Sequence, residues 1–217
     1  MSENVLENEV TQPSQLRDFF EWHKGIKHYG FWAIEITDQA CLDKVLRYQQ
    51  LLTKHVHNHY SRQPHITLMA AGLLSENHFS QNQLEQQIHA LKHRVKERQQ
   101  NGSEAQPITP FPLSIKEANT FTTCPYLSIF DPFKKLQNIR SLLLPEKNED
   151  SSSEYIPHIT LGLYNDRYKI SDILAILSET SSTNKKFMVN EIVFAQYKTN
   201  DIQGPYEVLH RIKLSSL

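Results

Sequence analysis

The side chains best suited to chemistry occur in a repeat. Pro64-His65-Ile66-Thr67-Leu68 recurs as Pro157-His158-Ile159-Thr160-Leu161, the second histidine 93 residues after the first. In a strand, alternate side chains share one face at a spacing of about 7 Å. Each copy then presents an imidazole and a hydroxyl on one face and two aliphatic side chains on the other. A duplication kept only for packing would repeat the Ile and Leu but has no need to repeat His and Thr. An imidazole titrates at about 6.5, so at neutral pH one ring can be neutral and its counterpart protonated. One His could then take a proton from an attacking oxygen while the other gives one to a leaving oxygen. The threonines could donate hydrogen bonds to phosphate oxygens, where charge sits in the transition state. No carboxylate cluster accompanies either motif, so this chemistry does not call for a metal. The arrangement suits in-line attack at a phosphodiester.

Other residues are candidates for contact with a substrate. Arg62 and Arg167 lie just outside the two motifs and could meet phosphates. Phe121, Tyr126 and Tyr155 fall in or beside loops and could stack a base. Tyr164 lies six residues from His158, an even offset, so an unbroken strand would put it on the same face; Gly162 could be a bulge that shifts it. The run His55-Val-His57-Asn-His59 and the pair His89/His93 have spacings open to metal, but equally describe a helix end and a solvated helix face. Lys92, Arg94, Lys96 and Arg98 form a basic run that matches a helix C-terminus or steers an RNA tail.

These residues need strands and helices to position them. Met1 to Gly30 opens as a polar segment with a short helix from Pro13 to about Lys24, for which Thr11 and Ser14 are candidate caps. A strand is expected at His28–Thr37 and another at His65–Ala71. Between them Asp38 caps a helix with Leu42, Val45, Leu46, Gln49 and Leu52 on one side. A polar helix over Ser80–Arg98 carries Leu84, Ile88, Leu91 and Val95. After a polar linker at 99–107 come strands Phe111–Glu117 and Tyr126–Phe130, then a helix from Asp131 through Leu144. A second polar loop at 145–153 precedes a strand at His158–Tyr164. A short helix begins at Ser171 and Asp172, and strands Phe187–Tyr197 and Tyr206–Leu214 follow. Strands alternating with helices, with two polar loops, predict an α+β domain of two sheets.

Composition sets the outer bounds. The 217 residues carry 23 Lys plus Arg against 24 Asp plus Glu, a net charge of −1. That balance disfavours a protein that wraps duplex DNA by its phosphates, and leaves open a short nucleotide or a strand end. No apolar run approaches the roughly 20 residues that span a bilayer, and the first ten residues are acidic, so the expectation is a cytoplasmic protein with no membrane attachment. Cys41 and Cys124 are expected as buried free thiols.

The paired His-x-Thr motifs resemble those of the 2H phosphoesterase superfamily, which includes the RNA 2′,3′-cyclic phosphodiesterases also termed 2′-5′ RNA ligases. The resemblance runs from about Tyr29 to Leu214, and its first half is similar to the cyclic phosphodiesterases of plants and yeast. It implies two pseudo-symmetric lobes, each an antiparallel sheet with helices packed outside, around a central cleft. Residues 29–217 would form that domain behind an N-terminal segment of residues 1–28. It implies His65 and His158 as the acid/base pair, Thr67 and Thr160 as the phosphate clamps, and Tyr164 as a substrate contact; Arg62 and Tyr126 join the expected substrate contacts by their positions alone. The implied activity is metal- and cofactor-independent opening of a 2′,3′-cyclic phosphate on a nucleotide or RNA 3′ end, with a 2′-phosphate as product; separately, nothing in the sequence suggests an obligate partner, and a monomer is expected. The alternatives are a non-catalytic binder of nucleotides or RNA ends, and a 3′-exonuclease or RNA ligase using the same cleft.

Overall fold

The computed structural model describes residues 9–100, 108–143, 155–180 and 183–214. Both polar linkers fall largely outside these residues. The expected repetition of strand, helix and strand is found twice. In the first lobe β1 (His28–Glu35) leads through α2 (Gln39–Leu51) to β2 (His65–Leu73). In the second β4 (Pro125–Phe130) leads through α4 (Lys135–Leu143) to β5 (His158–Thr160). The remaining elements are α1 (Phe20–His23), α3 (Gln81–Gln100), β3 (Phe111–Thr120), α5 (Ile170–Ser178), β6 (Lys185–Val189), β7 (Glu191–Lys198) and β8 (Tyr206–Lys213). They make two four-stranded antiparallel sheets, ordered β2-β1-β7-β8 and β5-β4-β3-β6. The α+β fold of two pseudo-symmetric sheets is therefore present. Both motif strands are sheet edges, and they lie side by side at the junction.

One apolar core runs beneath both sheets. Trp32, Ile34, Ile66 and Leu68 from the first join Leu113, Ile115, Leu127 and Ile159 from the second, each at most 2% exposed. Gly30 makes room for this packing, because a Cβ there would stand 2.6 Å from Leu74 and 2.7 Å from the Phe194 ring. The opposite face of the first sheet carries a smaller cluster of Phe31, Ala33, Val193, Ala195 and Tyr206. That face is curled. The β7–β8 turn folds back onto the segment before β2, where Ser61 N donates to the Gln203 carbonyl and Gln63 exchanges two hydrogen bonds with the Tyr206 backbone.

Several boundaries differ from expectation, each for a physical reason. The N-terminal helix is confined to Phe20–His23, because residues 10–14 are extended and spend their backbone groups on the second lobe: Thr11 N, Gln12 N and Ser14 N donate to Tyr168, Thr122 and Tyr164 carbonyls. Thr11 is no cap; its fully buried hydroxyl donates to the Asp166 carbonyl and accepts from Tyr168 N. Asp38 does cap α2, accepting from Cys41 N at 3.0 Å, but the buried face is Cys41, Val45, Tyr48 and Leu52, and Leu46 is exposed. The strand expected over Phe187–Tyr197 is two strands that break at Asn190 and serve different sheets. β5 ends at Thr160 because the chain then leaves the sheet: Gly162 packs on Val56, and Tyr164 bridges Val56 in the first lobe. Cys41 and Cys124 are buried free thiols.

Candidate active site

The two His-x-Thr strands are built alike. Ile66 and Leu68, like Ile159 and Leu161, are buried in the core, which turns His65 and Thr67, and His158 and Thr160, to the opposite face. The proline carbonyl before each histidine is held by the neighbouring strand, Ile36 N to Pro64 and Ile129 N to Pro157, both at 3.0 Å. Each imidazole then bonds the carbonyl two residues back: His65 Nδ1 to Gln63 at 2.8 Å, His158 Nδ1 to Ile156 at 2.7 Å. A carbonyl oxygen only accepts, so Nδ1 carries hydrogen in both rings. Nε2 is left as the atom that can take or give a proton.

Each ring also sits between two aromatic rings. His65 lies 5.3 Å from Phe31 and 5.2 Å from Tyr206, and His158 lies 5.0 Å from Phe121 and 5.4 Å from Tyr126. Desolvation in these settings opposes protonation. It pushes His65 down to about 4, with the charges of Arg62 and His158 acting in the same direction against the bond to Gln63. His158 is also lowered by burial, partly offset by its bond to Ile156.

The lobes hold each other's motif strands. The Tyr155 hydroxyl donates to the Thr67 carbonyl at 2.9 Å, and Arg140 of α4 donates to the Leu68 carbonyl with its guanidinium 3.8 Å over the Tyr155 ring. In return Gln49 of α2 donates to the Leu161 carbonyl at 3.2 Å. These bonds satisfy acceptors on edge strands that would otherwise face water.

Of the residues singled out in the sequence, the structure gathers His65, Thr67, His158, Thr160, Phe121 and Tyr126. Tyr126 is buried, stacked on Phe121 at 4.2 Å, and forms a wall of the His158 pocket. Tyr164 is corrected, and Arg62 has a structural role that the sequence did not show. Arg62 is a latch: its guanidinium donates to the Gly204 and Ile202 carbonyls and lies 4.0 Å over the Tyr197 ring, pinning the β7–β8 turn. Tyr164 is fully buried with its hydroxyl 2.6 Å from Thr120, so no part of it faces a substrate. Arg167 is exposed on the surface. In the histidine run, His57 Nε2 bonds the Ser14 carbonyl and His55 packs edge-on to Tyr168. Among the described residues no three His, Cys, Asp or Glu side chains group as a metal site.

Several site residues gave no signal in the sequence. Phe31 and Tyr206 reach His65 only because the sheet curls. Arg140 comes from a helix that looks merely amphipathic.

Comparison with curated proteins finds no match to the chain. Solved structures match in fold. Escherichia coli LigT in its apo form superposes with a TM-score of 0.53 at 15% identity, covering 86% of this chain and 97% of that one. E. coli LigT complexed with 3′-AMP gives 0.52 at 14% identity over 86% and 98%. The protein TT0787 of Thermus thermophilus gives 0.52 at 15% over 86% and 97%. In sequence, residues 38–201 match the family described as the 2′-5′ RNA ligase superfamily. That span includes both His-x-Thr strands, the whole second sheet and two strands of the first, and the chain belongs to this superfamily of two-histidine phosphoesterases.

Proposed function

We propose that this phosphoesterase opens a 2′,3′-cyclic phosphate on a nucleotide or RNA end, with His65 and His158 as its acid/base pair. The observation that carries this reading is the matched anchoring of the two imidazoles, each fixed through Nδ1 with Nε2 free for proton transfer. His65, held more strongly in its neutral form, is the base. Its Nε2 takes a proton from water as the water oxygen attacks phosphorus. The bond from phosphorus to O3′ breaks, and O3′ takes the proton carried on Nε2 of His158. The product is a 2′-phosphate beside a free 3′-hydroxyl, and exchange with solvent resets both rings. Thr67 and Thr160 hold the non-bridging oxygens as charge accumulates there.

The test is hydrolysis of 2′,3′-cyclic nucleotides, and of a short RNA ending in a 2′,3′-cyclic phosphate, in the presence of a chelator. His65→Ala and His158→Ala are each expected to lower kcat by about 10²–10⁴-fold. Turnover abolished by the chelator would overturn the mechanism. Absence of turnover with nucleotide binding intact in both variants would leave a binding module as the better account.

A further inference from the structure

The face of the first sheet that carries His65 continues away from it as an unbroken row of rings. Phe31 lies 5.3 Å from His65, Tyr197 5.9 Å from Phe31, Tyr29 5.4 Å from Tyr197, and Trp22 5.6 Å from Tyr29. The inner end is buried, but the row opens as it leaves the histidine. Tyr29 and Tyr197 are half-buried, and Trp22, carried on α1, is 43% exposed. A row that served packing alone would not end on an open indole.

Charge distinguishes the same end. Lys24, Lys27 and Lys198 are exposed there, and among the described residues none has an ion-pair partner. Of the nearby carboxylates, Asp18 is bonded to His23 and Glu21 to Arg17, while Asp201 and Glu207, which line a pocket with Lys198, accept from Gln203 N and the Gln196 amide. A chain of net charge −1 thus places three exposed lysines at the end of the row that carries its most exposed tryptophan. Aromatic rings that stack bases, flanked by cations that meet phosphates, are what a single strand requires. Trp22, Lys24 and Lys27 precede the residues that match the family.

We infer that this row is a binding face for the nucleotides that precede the reacting end of a single-stranded RNA. The inference rests on the cyclic-phosphate reading above and narrows it: the substrate is an RNA terminus several nucleotides long rather than a mononucleotide.

The experiment compares kcat/KM for a 2′,3′-cyclic mononucleotide with that for a five-nucleotide RNA ending in a 2′,3′-cyclic phosphate. The wild type is expected to prefer the RNA, and Trp22→Ala to reduce that preference by about tenfold, with Trp22→Phe recovering most of it. Replacing Lys24, Lys27 and Lys198 together by Ala should flatten the salt dependence on RNA alone. Equal kcat/KM for the two wild-type substrates, or an unchanged preference in Trp22→Ala at an unchanged melting temperature, overturns the inference and leaves the cyclic-phosphate reading intact. Should neither substrate be turned over, that reading fails instead. Fluorescence anisotropy of the same RNA ending in a 3′-phosphate then decides the binding face alone: about tenfold weaker binding to Trp22→Ala supports it, and equal binding overturns it.

Discussion

Each candidate imidazole is tied to one backbone carbonyl and flanked by two rings, and this determines how it titrates. The proposed acid/base mechanism needs one ring neutral and one protonated. His65 loses its proton at about 4, and His158 does so below the usual 6.5. The maximum of kcat/KM, which reports the free enzyme, is therefore expected on the acid side of pH 6.5; a maximum above pH 7 would contradict the assignment. The same shifts enter stability. Both folded-state values lie below the unfolded ones, so the unfolded chain binds more protons as pH falls from 6.5 towards 4, and stability declines over that window. Thermal melts of His65→Asn should show a shallower decline than the wild type. Tyr164→Phe tests a different residue: loss of one buried bond to Thr120 should cost about 1 kcal/mol of stability and leave kcat/KM unchanged. The four His and Thr positions were legible because polar side chains recurring inside apolar strands have no packing reason to recur. Tyr164 was misplaced because counting by twos assumes an unbroken strand, and the chain departs at Gly162. The structural role of Arg62 was missed because nothing local reveals the turn that it pins.

At the scale of elements, the motif strands are edges whose outer acceptors are covered by helices and loops of the opposite lobe. Arg140 and Tyr155 act on adjacent carbonyls of β2 and stack on each other. Arg140→Ala is expected to destabilise the fold by about 1–2 kcal/mol and to lower kcat more than it raises KM, since it frees the strand bearing His65. In a double-mutant cycle with Tyr155→Phe the two losses should fall short of additive, because each variant loosens the same edge. Helices and most strands were legible from periodicity, as the buried Leu84, Leu91 and Val95 of α3 show. The face of α2 was set one step off because Lys44 and Tyr48 are buried there through polar tips bonded to carbonyls, while Leu46 is left outside. The break at Asn190 was hidden because both flanking strands are equally β-branched and aromatic.

Across the whole molecule, the relative position of the two histidines depends on how firmly the lobes are joined, and the N-terminal segment contributes to that joint. Its residues 10–14 bond to the second lobe, and Trp22 rests on Tyr29 in the first. Thr11→Val keeps the shape but deprives Tyr168 N of its acceptor and the Asp166 carbonyl of its donor; a loss of about 2 kcal/mol in unfolding free energy is expected. The sheet orders carry a further consequence for how the chain is made. All four strands of the second sheet lie within one uninterrupted stretch, 111–189, whereas β1 at the centre of the first sheet must wait for β7, made more than 150 residues later. On a ribosome the second sheet can close while the first is still a lone hairpin, with Trp32 lacking the cover of Phe194. Chains truncated after residue 189 and released from the ribosome should therefore protect the second sheet from protease and leave β1–β2 open to it, so that the pocket of His158 is complete before that of His65 exists.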